Sequence, residues 1–77
     1  FSDNSLDAVF IDASHEYECV MDDLKAWYPK IKPGGILGGH DYSPNWPGVI
    51  QAAHEFSDNN KLSLNILYAE EVFFVEK

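Results

Sequence analysis

The sequence predicts an α/β fold in the order β-α-β-α-β-β, with a parallel βαβ unit and a C-terminal antiparallel hairpin. Three observations carry this. Ala8-Val9-Phe10-Ile11 is apolar at successive positions and closed by Asp7 and Asp12, the pattern of a strand covered on both faces, as parallel strands in α/β sheets are. From Tyr17 the apolar residues recur at steps of three and four, the period of a helix with one buried stripe. Near the end, the β-rich runs 62–68 and 72–75 are joined by Ala69-Glu70-Glu71, a link short enough for a hairpin.

The elements follow in order. The first strand comes after the turn-forming Ser2-Asp3-Asn4-Ser5. The helical stripe comprises Tyr17, Val20, Met21, Leu24, Trp27, Tyr28 and Ile31, with Glu16, Glu18, Asp22 and Asp23 early and Lys25, Lys30 and Lys32 late, which suits the helix dipole. Pro29 should end regular helix near Tyr28, and Lys32-Pro33-Gly34-Gly35 reads as a stop and turn. Ile36 to Asp41 is the second strand, its glycines allowing close approach of a backbone or ligand. Strand, helix and strand at this spacing form a right-handed unit with parallel strands. After the loop 42–47, a second helix runs from about Gly48 to Asn59 with Val49, Ile50, Ala53 and Phe56 inward.

The chain has 77 residues, 13 Asp+Glu against 5 Lys+Arg, no arginine, and a formal charge of −8. One small domain is the most this length accommodates, and such a chain buries only roughly 60% of its unfolded surface, so its core is marginal without a partner. The acidity counts against nucleic acid and anionic membranes, which are recognised by basic side chains. No apolar run approaches the roughly 20 residues of a membrane span, and the N-terminus lacks the basic start of a signal peptide. A single cysteine, Cys19, excludes an internal disulfide and fits a reducing, cytoplasmic compartment. The chain starts at Phe1 and its only methionine is Met21, so it reads as processed, trimmed or part of something longer.

Ligands of parallel α/β sheets sit at the carboxyl ends of the strands. Asp12 and Asp41 both fall there, roughly 5–10 Å apart if the strands are neighbours, given a strand spacing of about 4.8 Å. Carboxylates that close favour a shared proton or a bound cation, and oxygen ligands suit Mg²⁺, Mn²⁺ or Ca²⁺. His15 and His40 lie beside them and can act as a base near neutral pH or as metal ligands. The plainer alternative is that Asp12 or Ser14 caps the first helix and His40 donates to a loop carbonyl. Tyr42 and Trp46, with Pro47, follow the second strand where a mobile loop can cover a substrate; aromatics there equally pack onto the following helix. His54 reads as a surface or half-buried helix residue, and Cys19 has no CxxC partner.

Leu6-Asp7-Ala8-Val9-Phe10-Ile11-Asp12-Ala13-Ser14-His15-Glu16-Tyr17, then Asp23-Leu24, Trp27 through Gly35, Gly39-His40-Asp41-Tyr42 and Trp46-Pro47-Gly48-Val49 together resemble the C-terminal half of a class I S-adenosylmethionine-dependent methyltransferase. Within that class the chain is most similar to the small-molecule and sugar O-methyltransferase-like group. The resemblance runs through nearly the whole chain. It implies a Rossmann-like sheet of which this chain is a partial domain spanning residues 1–77, resembling strands four to seven, the last two being the family's antiparallel pair. It also implies catalytic roles for Asp12 and His15, the latter as general base. By motif position Asp12 and Asp41 would hold a divalent cation such as Mg²⁺, and His40 stands where many relatives have another acidic residue. His40, Tyr42 and Trp46 are the candidates for contacting the acceptor.

The resemblance further implies S-adenosylmethionine as methyl donor, yet the Gly-rich turn that holds it in the family has no counterpart here: neither Gly34-Gly35 nor Gly38-Gly39 opens a helix after a strand. The expected function is therefore the acceptor-side part of an enzyme that methylates a small-molecule hydroxyl or amine. The first strand then has an uncovered apolar edge, to be paired by the missing N-terminal half or in a homodimer. The alternative is a non-catalytic half-fold that oligomerises and binds a partner or ligand through the same edge. Calorimetry with S-adenosylmethionine separates the two.

Overall fold

A computed structural model describes residues 1–12 and 14–77. Its elements are β1 (Leu6–Ile11), α1 (Tyr17–Trp27), β2 (Ile31–Gly39), α2 (Pro47–Asn59), β3 (Leu64–Leu67) and β4 (Val72–Glu76), with 3-10 turns at Tyr28–Lys30 and Tyr68–Glu70. Among the described residues the strands form one sheet in the order β1-β2-β4-β3. β1 and β2 are parallel, and β4 runs antiparallel to both β2 and β3. The predicted α/β order, parallel unit and antiparallel C-terminal pair are all present, consistent with a partial Rossmann-like fold.

Local chemistry explains the element boundaries. α1 gives way at Tyr28 to a 3-10 turn containing Pro29, which has no N–H for a further α-helical bond. α2 starts at Pro47, the first helical position, where that missing N–H costs nothing. Lys32-Pro33-Gly34-Gly35 differs from its expected role. It is not a turn ahead of the strand but lies within β2. The pairing runs Leu6 with Ile31 and then Ala8 with Ile36, so residues 32–35 together oppose Asp7 as a wide bulge. Gly34 takes a left-handed φ of 86° there, and bulges also tolerate proline.

Strand alternation puts Leu37 and Val75 on one face, where they are buried with Phe73. Val20, Met21 and Leu24 of α1 and Val49, Ala53 and Phe56 of α2 complete that core. Both helices therefore cover the same side of the sheet. The reading of β1 as covered on both faces is not met: Phe10, Gly38 and Phe74 align across the other face, where Phe10 is 44% and Leu67 49% exposed. The apolar run is real, but the described residues cover only its inner half.

Candidate active site

Parallel pairing brings Ile11 of β1 opposite Gly39 of β2, so both strands end at one edge. The His40 amide donates to the Ile11 carbonyl at 3.2 Å, extending the ladder by one bond. Asp41 then takes a left-handed φ of 62°, a conformation that Asp tolerates better than most residues because its short side chain hydrogen-bonds locally. Its Oδ2 lies 2.6 Å from His15 Nε2, with both side chains partly exposed.

The segments on either side of the cleft help to place His15. Ser14 Oγ accepts the Glu16 amide at 3.2 Å, turning the chain into α1. The Trp46 ring stacks on the imidazole with centroids 3.7 Å apart and planes 15° from parallel. The Trp46 backbone is held in turn: its amide donates to the Ser43 carbonyl at 2.8 Å and its carbonyl accepts the Val49 amide at 3.1 Å. Ser43, nearly fully buried, also accepts the Asn45 amide through Oγ. The expected mobile loop is thus a hydrogen-bonded turn that leads directly into α2.

Beside this pair is a cleft with Ile11, Val49 and Phe73 in its lining and Asp12, Asp23, His40 and Asp41 contributing its polar groups. Asp12 and His40 are exposed and Asp41 half-buried. The sequence-predicted residues Asp12, His40 and Asp41 are therefore gathered at one cleft, and His15 and Trp46 join it through Asp41. Tyr42 turns away to donor–acceptor contact with His54 Nε2 at 2.6 Å, with its amide bonded to the Glu71 carbonyl. Burial raises the Tyr42 phenol above its ordinary pKa of 10.0, keeping it neutral. Asp23 was read as a helix-dipole charge, and its place on the cleft follows from sitting three residues after the buried Val20 on α1.

Residues 1–42, more than half of the chain, match the sequence profile of a family described as methyltransferase domain. The chain belongs to this methyltransferase family. No curated protein matches it. The match includes Asp12, His15, His40 and Asp41 of the methyltransferase domain. Membership implies S-adenosylmethionine as the donor in general terms. The glycines at the strand edge do not cradle it, because their side-chain space is already filled: a Cβ on Gly38 would meet the Phe73 carbonyl oxygen at 2.3 Å, and one on Gly39 the Phe73 ring at 2.7 Å. Gly34 has open space but lies in the β2 bulge, away from the cleft.

Among the described residues no group of three or more His, Cys, Asp or Glu side chains converges, and Asp41 Oδ2 is engaged by His15, so the structure lends no support to a divalent cation at this edge. Also among the described residues, no helix of the methyltransferase domain is long and apolar enough to cross a membrane.

Proposed function

We propose that the chain is the C-terminal, acceptor-side part of an S-adenosylmethionine-dependent methyltransferase that modifies a small-molecule hydroxyl or amine, with His15 as the base. The observation that carries this reading is the His15–Asp41 pair at the carboxyl edge of the sheet. With Nε2–H donated to the Asp41 carboxylate, the imidazole keeps its lone pair at Nδ1, for which the described residues provide no hydrogen-bond partner. Nδ1 takes the acceptor's proton, and Asp41 stabilises the resulting imidazolium, the logic of a carboxylate-oriented histidine. Asp12 and His40 border the acceptor, while Tyr42 supports the loop from behind. S-adenosylmethionine, when bound, supplies the methyl group on a sulfonium that departs as a neutral thioether.

Two measurements test it. In the full protein carrying these residues, transfer of labelled methyl from S-adenosylmethionine to a panel of hydroxyl- and amine-bearing small molecules should fall by roughly 10²–10⁴-fold in His15→Gln; an unchanged rate sinks the base role. Calorimetry of residues 1–77 with S-adenosylmethionine should show no micromolar binding, and finding it would overturn the acceptor-side assignment.

A second reading has its own supporting observation, the open apolar sheet face with Phe10 and Leu67 exposed. Under it, this face and the β1 edge take up a second copy of the chain or the complementary half of the fold. We place either assembly in the cytoplasm, where the exposed thiol of Cys19 stays reduced.

A further inference from the structure

We infer that Trp46 is a positioning residue for His15, an indole wall that together with Asp41 fixes the imidazole in its working orientation. This rests on the proposed base role of His15 and assigns to Trp46 a task different from contacting the acceptor. An imidazole on a loop can rotate about two side-chain bonds. Here its Nε2 is held by Asp41 at 2.6 Å and one of its faces by the stacked indole at 3.7 Å. Two such restraints, one in the ring plane and one perpendicular to it, fix the imidazole and leave Nδ1 without a hydrogen-bond partner among the described residues.

The wall can do this because it does not move with the ligand. Trp46 is the cap residue immediately before α2, its amide and carbonyl engaged by Ser43 and Val49. The first turn of that helix also abuts the backbone of the His15 segment: a Cβ on Gly48 would meet the His15 carbonyl oxygen at 2.8 Å. The α2 terminus therefore grips the His15 segment through both backbone and ring. A side chain meant to adapt to different acceptors would sit on a freer loop. Once His15 takes a proton, the indole face also stabilises the cation, as aromatic faces do for cations within about 6 Å.

Other titratable groups near His15 are Asp41 after β2, Asp12 after β1 and Glu16 on its own segment. His54 is tied to Tyr42, and His40 lies near the Phe10 ring with centroids 6.1 Å apart. A probe of the indole at Trp46 can therefore report His15 specifically.

The test uses indole emission in a Trp27→Phe background, which leaves Trp46 as the single tryptophan. An imidazolium in contact with an indole quenches its emission, so the signal should fall on acidification once His15 takes a proton. The change should vanish in His15→Gln and persist in His54→Gln; a flat profile, or one that survives His15→Gln, overturns the contact. In the full enzyme Trp46→Ala should lower kcat by roughly tenfold or more with little change in acceptor KM, as displacement of a catalytic group does. Trp46→Phe should restore most of it. A rise in KM with kcat intact would instead make Trp46 an acceptor contact. Emission that follows His15 while His15→Gln leaves transfer intact preserves the clamp and ends the base reading. Loss of transfer in His15→Gln with indifferent emission does the reverse.

Discussion

Gly48, in the first turn of α2, presses against the backbone of the His15 segment: a Cβ added there would lie 2.8 Å from the His15 carbonyl oxygen and 2.7 Å from the Tyr17 amide nitrogen. Both neighbours are main chain and cannot swing aside. Gly48→Ala gains up to about 1 kcal/mol of helix propensity, but overpacking of this kind costs about 1–3 kcal/mol. The variant should lose up to about 2 kcal/mol in urea unfolding. A variant more stable than the parent would show that α2 and the His15 segment are not in this contact.

Tyr17 donates its hydroxyl to Glu55 Oε1 at 2.5 Å, linking the start of α1 to α2, and Gln51 donates to the other carboxylate oxygen at 2.9 Å. The bond needs a neutral phenol and an ionised carboxylate. The two hydrogen bonds, that from Tyr17 first, hold Glu55 below its ordinary 4.5, while the same bond to Glu55 holds Tyr17 above 10.0. A lowered carboxylate contributes stability present above its unfolded pKa and lost as pH falls through the folded one. A raised phenol contributes stability present below its unfolded pKa and lost as pH rises through the folded one. Melting temperature against pH should thus form a plateau with a limb at each end, and Tyr17→Phe should flatten both. Part of each limb should survive, because burial still raises Tyr42, while the Gln51 bond still lowers Glu55 and the Lys30 bond Asp3. Identical profiles for parent and variant would mean that the inter-helix bond does not form.

The order of elements was legible because it follows from period: Val20, Leu24 and Trp27 fall on one helix face whatever they pack against. The bulge in β2 was not. Lys-Pro-Gly-Gly has the local chemistry of a turn, and only pairing with β1, where residues 32–35 oppose Asp7 alone, makes it part of a strand. The site divides the same way. Asp12 and Asp41 could be put on the functional edge because they end strands. That Asp41 pairs with His15 depends on a left-handed φ at Asp41 and on the approach of α2 through Gly48, neither of which has a local signature. Asp23 shows a further limit, since an acidic residue early in a helix serves the dipole and can line a cleft as well.

The left-handed backbone at Asp41 separates the roles of its charge and its shape. Asp41→Asn keeps the tolerance for this conformation and should change stability by less than about 1 kcal/mol. Asp41→Ala should lose roughly 1–3 kcal/mol, combining a strained backbone with a lost hydrogen bond. Asp41→Gly relaxes the backbone and should fall nearer the Asn variant than the Ala one. All three should impair transfer if the carboxylate orients His15. Urea titrations that rank Ala as the most stable of the three would contradict a strained backbone at this position.

The open sheet face can be tested by a substitution that sets two forces against each other. At a formal charge of −8, copies of the chain repel, and salt screens that repulsion, the Debye length falling from about 30 Å at 0.01 M to about 10 Å at 0.1 M. Phe10→Lys brings the charge one unit nearer zero, so if repulsion alone governed association the variant would self-associate more readily. It also removes an aromatic ring that is 44% exposed; full burial of such a ring is worth about 1.5–3 kcal/mol, so covering the exposed part contributes roughly 0.7–1.3 kcal/mol. That term is the larger: relieving one of many dispersed, screened surface charges is worth roughly 0.2–0.5 kcal/mol. Sedimentation equilibrium should therefore show association of the parent that strengthens with salt and is weakened, not strengthened, in Phe10→Lys. A parent that stays monomeric at every salt concentration would leave self-association without support, and a variant that associates more tightly would assign the behaviour to charge.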